Sequence, residues 1–424
     1  MLCLFARPIS ALLASASILT LAFGLTIDGG VAVAWPVDSA GTVALDNFSS
    51  TSKDGDVMTI KHADFEGANL TREEIEKILS AGGDADEKTA LVKKMKVAKM
   101  TIPVIDMAMK DGQTVHVHDI LGTDIDAGKI GALGLSGIDG AGDAKSGVSF
   151  KTGAMKMEKA DFSEALAMAT HSGASADISQ LGAFSWQNID FTVPEKDAST
   201  PDKTIHFMLG SIDLRNDYDG ATLKGGKATI KGLSVEPSKT SDLAASLATL
   251  GYTRLDFNIT SAAHYEPSAK TLTIDDVTLN GDKMGTFGVK ANLGDIAPDV
   301  FGSEREAQMA ALMDGSISSL EVKFVNAGLF EKALGYYADQ QKLTPQAMKA
   351  QWTEVAGQML PWVLGGSPEA LNLAAAAQKF IGAPTSLTIA VKPKSGTLKF
   401  VDAIALADPS TILSKLDIVA TPGK

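Results

Sequence analysis

The sequence predicts an α+β protein: an extended, twisted, mostly antiparallel β-sheet wrapping short amphipathic helices, with a helical segment near the C-terminus. Three observations predict it. Long stretches alternate apolar and polar residues with a period of two. The clearest is 253–296, where Leu255, Phe257 and Ile259, then Leu272 and Ile274, then Phe287, Val289 and Ala291 mark a half-buried meander. Turn signals separate such stretches, among them Asp111-Gly112, Glu266-Pro267-Ser268 and Asn280-Gly281-Asp282. Stretches with helical spacing are short and open on capping residues.

The N-terminus sets the expected compartment. Met1–Ser10 carries the single cation Arg7, an apolar run extends from Ala11 to Ile27, and Ala32-Val33-Ala34 presents small residues ahead of Trp35. This is the three-part layout of a secretory signal peptide over residues 1–34, which makes the expected location periplasmic. The alternative is an uncleaved inner-membrane anchor, because the run approaches the roughly 20 residues that span a bilayer. Ser15, Ser17 and Thr20 dilute it. The one cysteine, Cys3, lies in the leader without a lipobox. A chain cleaved before Trp35 has no disulfide and relies on its core.

The net charge is −13, and loss of Arg7 and Asp28 with the leader leaves it unchanged. That balance argues against nucleic acid, whose binders need a basic face to displace counterions. It also argues against broad adhesion to an anionic membrane surface.

Residues 35–300 read as β-rich with interspersed short helices. An entry arm or first strand leads to a strand from Val57, and Thr71-Arg-Glu-Glu74 fits a capping box opening a helix with Ile75, Ile78 and Leu79 on one face. Asp84–Glu87 reads as an acidic loop. Strands are expected over 99–109, 114–120, 130–138 and 148–157, with a helix over 162–170 and a loop over 171–176. Further strands follow over 184–193, 204–214 and 228–235, then a helix over 241–250 and the meander. The order strand, strand, short helix, strand thus recurs around 130–190 and 204–296.

Residues 301–424 read as a helical segment with closing strands, continuous with the same sheet. A strand over 316–325 precedes a helix from Leu329. Thr344-Pro345 caps a longer helix to Leu364 with Pro361 near its end, and Ser367-Pro368-Glu369 caps another ending at Gly382. Strands are expected at 387–391, 399–404 and 416–420, with a helical turn over 408–415.

No catalytic, metal or cofactor motif emerges. His116 and His118 form an H-x-H pair on one strand face, but zinc needs a third or fourth ligand, and a solvated strand face is the better reading. Fitting Arg215–Gly220 to a calcium loop puts Arg215 at the first acidic position and Gly226 at the bidentate glutamate, so a tight turn is favoured. Gly134-Leu-Ser136-Gly137 misses nucleophile-elbow spacing by one residue, and the glycines of 131–147 fit no phosphate loop. The reading is therefore not an enzyme.

The apolar residues are more suggestive. Fifteen methionines and sixteen phenylalanines accompany four tryptophans and five tyrosines. Methionine fills adaptable apolar space, either as ordinary core or as the lining of a groove that accepts acyl chains. Met107, Met109, Met155 and Met157 are the candidate ligand contacts, and Trp352 and Trp362 on the long helix are candidate partner contacts.

Three segments carry a resemblance: LAASLATLGYTRLDFNITSAAHYEPSAKTLTIDDVTLN, VNAGLFEKALGYYADQQKLTPQAMKAQW and FIGAPTSLTIAVKPKSG. Through them the chain resembles, over about residues 90–420, a family of uncharacterised exported β-repeat proteins of Gram-negative bacteria. The strand grammar is also similar to that of AsmA-like envelope proteins, whose long β-grooves are associated with lipid movement. These resemblances imply no site residue. The expected function is a non-enzymatic periplasmic cell-envelope protein binding a lipid or other apolar ligand. The alternative is a structural or interaction protein presenting sheet edges or a helix to an envelope protein partner.

Overall fold

The computed structural model describes residues 41–81, 84–142, 148–162, 180–195, 203–220, 222–301, 305–405 and 409–423. The leader expected over 1–34, the helix expected after Phe162 and the loop over 171–176 lie outside them. So does the helical part of the first copy of the recurring strand–helix order. The chain divides into two compact units, one ending at Thr204 and one beginning at Ile205.

The first unit contains β1 (Thr42–Thr51), β2 (Val57–Glu66), β3 (Lys96–Ala108), β4 (Thr114–Asp126), β5 (Lys129–Leu135), β6 (Gly137–Ala141), β7 (Ser149–Thr152), β8 (Met155–Asp161) and β9 (Gln180–Pro194). Strands β1 to β4 pair in sequence order, and every pairing is antiparallel. Beyond β4 the sheet continues as interrupted rows. β5 and β6 lie end to end along β4, β8 and β7 lie beyond them, and β9 pairs with both. The strands expected over 130–138 and 148–157 are therefore each broken in two, at Ser136 and at Gly153-Ala154. The backbone stays satisfied at both breaks: Ser136 N–H donates to the His118 carbonyl at 3.0 Å and Gly153 N–H to the Gln187 carbonyl at 2.8 Å. Asn47, Asp119, Asp124, Lys159 and Asn188 adopt positive φ inside strands. Such residues mark bulges, which bend a strand and raise its twist.

Helices α1 (Arg72–Leu79) and α2 (Ala85–Lys94) connect β2 to β3. The capping box forms as expected: Thr71 Oγ1 accepts from Glu74 N–H at 3.3 Å, and Thr71 N–H donates to Glu74 Oε2 at 2.9 Å. The acidic stretch Asp84–Glu87 is not a loop but the start of α2. Asp84 is its N-cap, accepting from Asp86 N–H at 2.9 Å, with Glu87 in the first turn and Lys93 and Lys94 in the last. Negative charge at the N-terminus and positive charge at the C-terminus both complement the helix dipole, so a run that looked merely solvated is helix-forming. Ile75, Ile78, Leu91, Val92 and Met95 belong to one core with Leu45, Ile60 and Val97 of the sheet, of which Leu45 and Ile60 are 0% exposed.

The second unit begins with β10 (Thr204–Asp219), β11 (Thr222–Pro237), α3 (Asp242–Thr249), β12 (Leu255–Glu266), β13 (Thr271–Gly281) and β14 (Gly285–Gly294). A 3-10 turn (Pro298–Phe301), α4 (Arg305–Met313), β15 (Ser316–Asn326), α5 (Leu329–Gln340), α6 (Pro345–Val363) and α7 (Pro368–Gly382) follow. β16 (Ser386–Pro393), β17 (Leu398–Lys399), α8 (Phe400–Ala405), α9 (Pro409–Ser414) and β18 (Leu416–Pro422) close the unit. The strand order is β10-β11-β12-β13-β14-β15-β16-β18, antiparallel throughout.

The boundary expected near residue 300 falls inside this unit, where β14 pairs with β15 across it. The helical insert α5–α7 leaves from β15 and returns to its neighbour β16, as the flanking strands implied. The strand expected over 399–404 is corrected. β17 pairs only with Ser316 and Ile317, at the very start of β15, so beyond Lys399 no partner strand remains. Phe400 N–H donates to the Gly315 carbonyl at 2.9 Å, and the apolar run coils into α8. The run Arg215–Gly220, expected as a tight turn, is also corrected: it is strand as far as Asp219, pairing with β11 across a register shift between Asp217 and Tyr218.

Candidate ligand-binding face

Residues opposite one another in an antiparallel ladder share a face. In the second unit Ile212 faces Ile230, Ile230 faces Ile259, Ile259 faces Leu279, Leu279 faces Phe287 and Phe287 faces Phe324. Val277, Val289, Val322 and Ile389 form a second row. Strand alternation thus assembles a continuous apolar face from β10 to β16. The bulges between Ile230 and Leu233 and between Ile274 and Val277 keep the apolar set in phase where the chain gains residues.

Parts of this face are closed. At one end of the meander Tyr265 is buried, its hydroxyl donating to the Ile296 carbonyl at 2.7 Å and its ring edge-on to Phe301 at 4.9 Å. At the other end Tyr252 is buried, its hydroxyl donating to the Lys283 carbonyl at 3.1 Å, with Lys332 Nζ 3.2 Å above its ring. Burial raises the pKa of both phenols, so they stay neutral donors. Over β15 and β16 an aromatic cluster packs down from the helices: Phe380 against Phe324 at 5.9 Å and Phe330 against Phe380 at 5.4 Å.

The middle is bare. Among the described residues no helix makes extensive contact with β12, β13 or β14. There Ile230, Ile259, Leu279 and Val289 are only half-buried, and Val277 and Phe287 are 36% and 38% exposed. The reverse side of the same strands is polar, carrying Thr273, Asp275, Lys290, Asn292, Ser319 and Glu321 around a shallow, open depression.

The candidate contacts named from sequence are placed elsewhere. Met107, Met155 and Met157 are 5%, 6% and 3% exposed in the core of the first unit, and Met109 packs against it half-buried. They fill irregular core space, the ordinary use of methionine. Trp352 is half-buried, edge-on to Phe330 at 5.7 Å and to Tyr337 at 5.8 Å. Trp362 is 81% exposed.

Four of the described histidines, His62, His116, His118 and His264, pair with aspartates on neighbouring strands. His116 Nδ1 lies 2.7 Å from Asp106 Oδ1 and His118 Nε2 lies 2.6 Å from Asp139 Oδ1, with the two rings stacked at 6.5 Å. His62 lies between Asp46 and Asp64, at 2.8 and 3.1 Å, and its pKa is raised chiefly by the Asp46 hydrogen bond. His264 pairs with Asp275 at 2.9 Å. Each is a two- or three-member cross-strand contact, and no group of three or more potential ligands converges on a metal position among the described residues. Ser136 Oγ donates to Asp119 at 2.7 Å at a strand break, which is not the geometry of a nucleophile elbow.

A family model described as "Uncharacterized protein" matches residues 278–422, from β13 to β18. No curated protein is matched by this chain. Among the described residues no helix is long and apolar enough to cross a membrane.

Proposed function

We propose that this chain is a non-enzymatic, exported cell-envelope protein that binds a lipid or similar apolar ligand on the bare middle of the second unit's apolar sheet face. One observation carries the reading. Over β12–β14 an apolar face several strands wide is left half-exposed, with no buried core cluster beneath it among the described residues. The first unit instead gathers most of its apolar residues into one core buried to a few per cent exposure, with others such as Phe48, Phe184 and Trp186 half-buried against it. Contiguous apolar surface open to water is costly, and proteins that keep it commonly use it for binding.

An acyl chain laid across Ile259, Leu279 and Val289 would remove water from both surfaces, worth about 0.8 kcal/mol per methylene buried before ordering costs. The face carries no charged group to fix a headgroup, so recognition there is by apolar contact.

The test is native mass spectrometry of protein released gently from its envelope, paired with uptake of a fluorescent fatty acid. Co-purifying lipid, lost together with uptake in Leu279→Asp, supports the reading. Ligand-free protein that takes up no fatty acid contradicts it.

A further inference from the structure

The α6–α7 hairpin ends in an apolar tip that the sheet does not use. On α6 the inward stripe is Met348, Trp352 and Ala356, spaced four apart and buried or half-buried. A second stripe points outward: Val355 is 43% exposed, Met359 52%, Trp362 81% and Val363 49%. Across the turn Leu371, near the start of α7, is 55% exposed. A helix with two apolar sides covers only one of them with its own protein. Gly365 and Gly366 make the turn at φ 76° and 68°, and Gly366 N–H donates to the Pro361 carbonyl at 2.7 Å, so the tip is tightly closed.

Charge identifies what this tip meets. Between Glu354 and Glu369 the sequence holds no Asp, Glu, Lys, Arg or His, in a chain with net charge −13. Glu369, the first charge beyond the tip, is neutralised by Lys394 at 2.6 Å. Protein interfaces usually rim an apolar centre with polar and charged groups. An uncharged turn carrying Trp beside aliphatic and methionine side chains instead matches the boundary between lipid headgroups and acyl chains, where indole is favoured.

We infer that the α6–α7 tip is a peripheral membrane-docking element, inserting Trp362, Met359, Val363 and Leu371 into the interface of a bilayer without spanning it. Insertion is driven by apolar burial, so it needs neither anionic lipid nor low salt. The inference goes beyond the ligand face and does not depend on it, because the two use different residues.

The test is flotation of the cleaved chain, from Trp35 on, with phosphatidylcholine vesicles at low and high salt, alongside a Trp362→Ser/Met359→Ser variant. Both residues are solvent-exposed, so folding is preserved and is checked by circular dichroism. Expected are salt-independent flotation of the wild type, at least tenfold weaker binding of the variant, and quenching of wild-type tryptophan emission by brominated lipid that is lost in Trp362→Phe. No flotation, flotation only with anionic lipid at low salt, or equal binding by the variant would overturn the inference. So would a wild-type dimer that the double substitution converts to monomer, since the tip would then face a second copy. Leu279→Asp should dock normally, which separates this outcome from failure of the ligand face.

Discussion

Ile60 and Leu279 are similar residues on similar strands, and their surroundings set different tasks. Ile60 is wholly enclosed in the first unit, so Ile60→Ala should cost about 2–5 kcal/mol through lost transfer energy and a residual cavity. Leu279 is half-bare, so Leu279→Ala should lower the urea midpoint far less while weakening fatty-acid uptake. Equal destabilisation by both would show that the face is not open in solution. Glu369 offers a pH signature. The Lys394 hydrogen bond, its own amide and Ser367 hold its carboxyl down at about 2. Because the folded value is depressed, its contribution is fully present above the unfolded carboxylate range and is lost as pH falls toward 2. Unfolding followed by circular dichroism should therefore show a shallower acid limb in Glu369→Gln than in the wild type. His62 works in the opposite sense: its raised value favours the fold below its ordinary pKa, and that contribution fades as pH rises through the folded value.

At the scale of elements, caps and turns were the most legible features. Thr71, Ser241, Thr344 and Ser367 each open a helix in the structure as their sequence positions imply. Thr71→Ala should cost about 1 kcal/mol, measured by chemical denaturation. What sequence reading missed followed from competition between signals. Asp84–Glu87 is equally polar as a loop or as an N-terminal turn, and only the chain path brings Lys93 and Lys94 to the other end of a helix. Residues 400–405 carry strand-like apolar content but have no partner ladder, so tertiary context overrides propensity. Gly285 shows how much a single backbone position holds. It sits at φ 135°, and a Cβ there would run into the Val325 carbonyl at the head of the β14–β15 pair. Gly285→Ala should therefore destabilise the protein by about 1–3 kcal/mol and raise hydrogen exchange first in β14 and β15.

For the whole molecule, the fold class could be read from alternation alone, because a period of two fixes which residues share a face. Whether that face is covered could not. Leu255–Ile259 and Met100–Ile102 alternate alike, yet Met100 and Ile102 are buried in one core with residues of α1 and α2, whereas Leu255, Phe257 and Ile259 are only half-buried. Methionine content marked residues that the structure buries in the first unit's core, because composition reports adaptable apolar volume, not whether water reaches it. Trp362 was singled out from sequence, but its significance comes from the turn that leaves it 81% exposed amid uncharged neighbours. The proposed ligand face and the proposed docking tip both belong to the second unit, most of which the family match covers.

The central claim is that apolar ligand lies on the open meander and not in the methionine-rich core. A photo-crosslinking amino acid placed at Phe287, illuminated in intact cells and followed by mass spectrometry of the protein, tests it most directly. A lipid-mass adduct at Phe287, with none when the same group replaces Met157, is the predicted result. Adducts to protein alone, or equal lipid labelling at both positions, would contradict it.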